Sequence, residues 1–136
     1  MEFIKWDGSL ELGIKDIDEQ HKGLIDTINL FESVSNAADR YKICLETIMR
    51  LKKYFDEHFM TEESYMIEYD YPDFVSHKKE HSEFIKNVLD FEMACVEFYA
   101  PYTPILEFLR EWLTKHVKDT DIKMGKFLNE KMKQTK

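Results

Sequence analysis

The chain has 136 residues and a net charge of −8 with no dense basic patch, which excludes a nucleic-acid backbone as partner. Its 43% hydrophobic and 34% charged content is that of a globular chain long enough to bury a core, and residues 1–136 read as a single domain. No apolar run approaches the ~20 residues of a membrane span, no signal-peptide pattern opens the chain, and the isolated Cys44 and Cys95 read as reduced thiols of a cytoplasmic protein.

Only four Gly and three Pro interrupt the sequence, which leaves room for long helices. Residues 1–15 carry Phe3, Trp6, Leu10, Leu12 and Ile14 around Gly8 and Gly13, and predict an ordered arm laid over apolar surface. A first helix is expected from Asp16 or Asp18, either of which can cap it, and Asp16 with Glu19 resembles a capping box. Its apolar face is His21, Leu24, Ile25, Ile28 and Phe31, and it ends near Ser35-Asn36.

A second helix follows Asn36 or Asp39, with the stripe Cys44, Ile48, Leu51, Phe55, His58, Phe59, Glu62, Met66, and Asp70 to Pro72 stops it. A third carries Phe74, His77, His81, Phe84, Val88, Phe91 and Cys95 at steps of three and four. Glu97 to Pro104 is a connection in which Thr103 and Pro104 suit the cap and first position of the next helix. That helix carries Ile105, Leu109, Trp112, Leu113 and His116, and a last segment carries Ile122, Met124, Phe127 and Leu128. Lys126, Lys131, Lys133 and Lys136 form a solvated face there. The expected fold is all-α: an up-down-up-down antiparallel four-helix bundle with an N-terminal arm and a short C-terminal helical extension.

All five histidines, His21, His58, His77, His81 and His116, fall on apolar stripes, spread over all four helices. One histidine there is an ordinary hydrogen-bonded core residue. Five would leave many ring nitrogens to satisfy separately, and a metal satisfies one nitrogen of each at once. His58 with Glu62 and His77 with His81 are four apart, so each pair lies within about 40° on one helical face. Glu62 on a buried stripe is costly unless paired, whereas its neighbour Glu63 points elsewhere and suits a solvated position. After His116, Asp119 shares its face on a regular helix, while Asp121 lies about 140° away unless the helix is deformed. Local geometry does not choose Asp121.

Taken together, Trp6-Asp7, Gly13-Ile-Lys-Asp-Ile-Asp-Glu-Gln-His21, His58-x-x-x-Glu62, His77-x-x-x-His81 and His116-x-x-x-x-Asp121 resemble the bacterial hemerythrins along nearly the whole chain. The resemblance implies a non-haem di-iron centre: two iron ions joined by an oxo or hydroxo bridge, inside the bundle. It implies Asp121 rather than Asp119 as the ligand, with the helix bent or interrupted after His116. It also places His77, His81 and His116 on one iron, His21 and His58 on the other, and Glu62 and Asp121 across both.

Three histidines, two carboxylates and the bridge fill a six-coordinate iron, and two histidines leave the other one ligand short. Dioxygen is the expected partner at that open position, with nitric oxide and peroxide as further small ligands. Oxygen-activating di-iron bundles are richer in carboxylates. Neutral imidazoles stabilise high oxidation states less, so the expectation is reversible binding for storage, delivery or sensing, not an enzyme. An apolar lining with Phe55 and Phe59 would keep water away. Three alternatives stand beside this reading: a di-iron oxidase, peroxidase or nitric oxide-handling enzyme; a two-metal hydrolase, since imidazole also suits zinc; and metal storage or a thiol switch through Cys44 and Cys95.

Overall fold

The computed structural model describes residues 4–33, 37–97 and 102–134. Phe3, the helix end expected at Ser35-Asn36 and Lys136 lie outside the described residues. The helices are α1 (Lys15–Glu32), α2 (Ala37–Tyr54), α3 (Met60–Glu68), α4 (Phe74–Glu97), α5 (Tyr102–Glu111) and α6 (Ile122–Gln134). A π-helical stretch, Phe55–Phe59, joins α2 to α3, and a second, Trp112–Asp121, joins α5 to α6. The six helices therefore make four rods of an all-α, up-down-up-down antiparallel bundle. The segment expected as a C-terminal extension is α6, the second half of the fourth rod, continuous with α5 through the second π stretch.

The ends follow local chemistry, with two departures from expectation. Neither Asp16 nor Asp18 caps α1: its N-cap is Ile14, which makes no side-chain capping bond. Asp18 instead accepts the N–H groups of Leu12 (2.8 Å) and Gly13 (3.0 Å), and Asp16 accepts the Tyr65 hydroxyl. The arm's own free N–H groups outcompete those of the helix for the carboxylate, because Gly13 at φ +82 turns the chain back over it. At the fourth rod, α5 starts at Tyr102, ahead of the expected Thr103-Pro104 cap. Pro104 still falls in the first turn, where its missing N–H leaves no helical bond unmade. The second rod stops as expected, at Glu68, before Asp70 at φ +53.

Beyond the Asp18 bonds, the arm is tied down at three points. Asn29 exchanges two 2.8 Å bonds with the Ile4 backbone, and Asn129 donates to the Leu12 carbonyl at 2.7 Å. Gly125 makes the third approach possible, since a Cβ there would lie 2.8 Å from the Leu12 side chain.

Cys44 and Cys95 correct the sequence reading. They are joined by a disulfide between α2 and α4, where reduced thiols were expected. Sequence spacing could not show it: the two are 51 residues apart, and only the antiparallel packing of the two helices brings their Cα atoms to 6.5 Å.

The core divides into two clusters. One holds Leu24, Ile28, Phe59, Phe84, Leu109, Trp112 and Val117, and the other Ile17, Met66, Tyr71, Met124 and Leu128. Each rod passes from one cluster to the other across a buried polar residue: His21 in the first, Glu62 in the second, His77 and His81 in the third, Asp121 in the fourth. The polar layer therefore sits inside the bundle with apolar packing above and below it. Among the described residues no helix is long and apolar enough to cross a membrane.

Candidate metal centre

The two π stretches explain how the side chains reach that layer. A π turn closes i to i+5, so residues five apart fall in line. Across Trp112–Asp121 this brings Asp121 onto the His116 face, and Asp121 Oδ1 lies 3.0 Å from His116 Nε2. Asp119 is exposed. The rod is therefore neither broken nor capped after His116; it is widened. In the second rod the Phe55–Phe59 stretch shifts the inward face by one residue, so Tyr54 is buried and Phe55, expected in the lining, is half-buried.

All seven expected residues converge, and they fall into two overlapping groups: Glu62, His77, His81, His116 and Asp121, and His21, His58, Glu62 and Asp121. The two carboxylates divide their oxygens between them. Glu62 Oε1 lies 2.9 Å from His81 Nε2 and 3.1 Å from His77 Nε2, while its Oε2 lies 2.9 Å from His58 Nε2. Asp121 Oδ1 lies 3.0 Å from both His77 Nε2 and His116 Nε2, while its Oδ2 lies 3.0 Å from His21 Nε2. Three imidazoles thus face one pair of oxygens and two face the other.

The electrostatics of the layer are those of a site shaped for positive charge. Burial opposes ionising Glu62 and Asp121, yet the surrounding imidazoles hold both carboxyls below the usual carboxylate range. Burial likewise disfavours protonating His21 and His77, but Asp121 and Glu62 outweigh it and raise both to about 9. His116 is raised well above its ordinary value by the same contest. At His58 burial wins and the pKa is lowered. The negative charge that favours protonated imidazoles here would equally favour a bound dication. The fit to a cation shows in the unmatched atoms: His21 Nε2, His58 Nε2, His116 Nε2, Glu62 Oε2 and both Asp121 oxygens are fully buried with no aligned hydrogen-bond partner among the described residues. Imidazole and carboxylate donors at such a density suit iron, zinc or another transition metal.

Four residues around the layer take roles that the sequence reading does not assign to them. Gln20, Glu63 and Glu80 each take the outer ring nitrogen of a histidine: His58 Nδ1 at 2.7 Å, His81 Nδ1 at 2.9 Å and His116 Nδ1 at 2.8 Å. Glu63 is therefore not the solvated residue expected, and its carboxylate is turned inward by the His81 N–H. A sequence signal existed: Gln20, Glu63 and Glu80 each sit beside a site residue (His21, Glu62, His81) and reach a histidine on a neighbouring rod. The fourth is Tyr54, stacked on His58 with ring centroids 4.8 Å apart. Phe59 stacks on His81 at 3.9 Å and Trp112 on His116 at 3.8 Å, completing an aromatic wall on one side of the layer. On another side a cavity of about 500 Å³ between α1 and α2, lined by Gln20, Gly23, Leu24, Thr27 and Tyr54, leads to His58.

Comparison with known proteins bears on this geometry. Residues 12–128 match the family described as the hemerythrin HHE cation binding domain. The chain is 33% identical over 119 residues to a myohemerythrin of Theromyzon tessulatum, covering 88% of each chain. It is 31% identical over 121 residues to a bacteriohemerythrin of Clostridium acetobutylicum, covering 85% of this chain and 94% of the relative. A hemerythrin-like protein of Naegleria gruberi is 27% identical over 120 residues, with 88% and 89% covered.

Proposed function

The chain belongs to the hemerythrin family, and on that premise we propose that it binds dioxygen reversibly at a centre of two iron ions. His77, His81 and His116 would hold one iron, His21 and His58 the other, with Glu62 and Asp121 spanning the pair. The observation that carries this is the division of oxygens: each carboxylate turns one oxygen to the three-histidine side and the other to the two-histidine side. A bridging pair of unequal metals needs that arrangement, and a one-metal site does not. Two ferrous ions held there would supply the electrons for reversible dioxygen binding.

The protein's part is to seat, shield and admit. Phe59, Trp112 and Tyr54 exclude water from the imidazoles, which slows irreversible oxidation of the metal. The cavity that leads to His58 lies on the two-histidine side, where a small gas is needed. The predominance of neutral imidazole favours binding over oxidative catalysis. The role we assign is storage, delivery or sensing of oxygen by a single domain of residues 1–136, rather than an enzymatic one. The test is gas uptake by the anaerobically reduced, iron-loaded protein. One dioxygen taken up per two irons and recovered under vacuum supports the reading; consumption that continues with added reductant identifies an oxidase instead.

A further inference from the structure

The outer hydrogen bonds of the histidines divide as unequally as the histidines themselves. His81 and His116, on the three-histidine side, lean on the carboxylates of Glu63 and Glu80. His58, on the two-histidine side, leans on the neutral amide of Gln20. The orientation of that amide is fixed by its other end. The Thr61 hydroxyl donates to the Glu57 carbonyl at 2.8 Å, so it can only accept from Gln20 Nε2, at 3.1 Å. Gln20 Oε1 is left facing His58, whose Nδ1–H donates to it, and the His58 Nε2 lone pair points into the layer. Glu80 is anchored in turn by the Thr120 hydroxyl at 3.0 Å. The remaining outer nitrogens, His21 Nδ1 and His77 Nδ1, have no hydrogen-bond partner among the described residues.

A carboxylate accepting an imidazole N–H pulls that proton outward and raises electron density on the opposite nitrogen, and it adds a negative charge close to any cation bound there. An amide does the first weakly and the second not at all. From this asymmetry we infer that Glu63 and Glu80 make the His77/His81/His116 position the tighter metal site, filled first, while Gln20 keeps the His21/His58 position weaker and filled second. Glu63 also meets Lys78, but at 3.9 Å, and that lysine is more than half exposed, so solvent screens its offset. Loading in this order places the saturated metal and both bridging carboxylates before the position that meets ligand is occupied. The inference rests on the two-metal reading above but not on dioxygen binding.

The ligand count, three against two, favours the same order, so the test must move the outer residues alone. Glu63→Gln with Glu80→Gln removes both charges at nearly constant shape, and Gln20→Glu adds one on the other side. The probe is cobalt(II), titrated into the metal-free protein and followed by calorimetry and visible absorption. The unaltered chain should bind two cobalt ions in two resolved steps. The double Gln variant should lose about 10–100-fold in the first step and keep the second. Gln20→Glu should tighten the second step by about 10-fold and draw the two together. Two equivalents bound with the ratio of steps unmoved in both variants overturns the part given to Glu63, Glu80 and Gln20 while leaving the two-metal reading intact. One cobalt or none in the unaltered chain overturns both. Circular dichroism of each metal-free variant separates a lost fold from a lost step, and Gln20→Glu, expected to gain affinity, cannot succeed by unfolding.

Discussion

Glu62 and Asp121 stand side by side in the bundle, each with one oxygen about 3 Å from the His77 ring nitrogen and the other turned to the His21 and His58 side. They come from the second and fourth rods, and both are fully buried. Two fully buried carboxylates this close repel one another unless something positive lies between them. That relationship fixes which substitutions should matter.

Asp121→Asn should lower the bound metal to fewer than two ions per chain, whereas Asp119→Asn should leave it unchanged. The π stretch is the reason, since it places Asp121 on the His116 face and leaves Asp119 in solvent. Elemental analysis after reconstitution and desalting decides it. Equal loss in both variants would remove the π-helical account of the ligand choice.

The metal-free protein should have a stability profile set by the buried layer. His21 and His77 are raised to about 9, so their contribution is fully present below their unfolded value of ~6.5 and is lost as pH rises through 9. Glu62 and Asp121 are lowered, so theirs is present above ~4.5 and lost as pH falls. These are two views of one set of contacts and are not added together. His58, lowered by burial, loses its contribution as pH falls below ~6.5, so thermal melts of the metal-free chain should peak near about pH 6.5 and decline on both sides. Saturating metal should shift the optimum upward, because bound metal replaces the protons.

Replacing Cys44 and Cys95 together with Ala should lower stability without lowering metal content. The disulfide closes a loop spanning 51 residues of sequence that includes the first π stretch, α3 and the turn before α4. Releasing such a loop costs about 2–4 kcal/mol. Denaturant midpoints with and without reductant measure the loss, and an unchanged midpoint under reducing conditions would show that the link does not stabilise the fold. Both cysteines are buried away from the polar layer, so two metals should still bind.

Phe59→Ala should act on the fold and the centre together. Phe59 is buried and lies flat against His81, with 3° between the rings. Truncation should cost about 3–5 kcal/mol and open a void beside that imidazole. The expected result is a lower urea midpoint and faster irreversible oxidation of iron-loaded protein, and Phe59→Leu should recover most of both. A stability loss with no change in oxidation rate would assign Phe59 to packing alone.

Much of this was legible in the sequence. The stripes at steps of three and four gave the rods, and Asp70 to Pro72 gave a stop, because periodicity and backbone restriction are local. The five histidines and Glu62 were legible for the same reason: each lies on an apolar stripe where a polar group needs a partner. Asp121 was not, since no local rule announces a π turn, and only the resemblance to known proteins singled it out. The Cys44–Cys95 bond and the roles of Gln20, Glu63, Glu80 and Tyr54 depend on which rod faces which. Glu63 shows the limit well: its helical direction points away from the Glu62 face, and the His81 ring on another rod comes to meet it.

The most direct test of the central claim is the absorption spectrum of iron-loaded protein reduced under argon, recorded before air is admitted, after, and again under argon. The account predicts a nearly colourless reduced form, a ligand-to-iron charge-transfer band in air, and its disappearance on removing oxygen over repeated cycles. A spectrum unaffected by air, or one that changes once and never returns, would contradict reversible dioxygen binding at this centre.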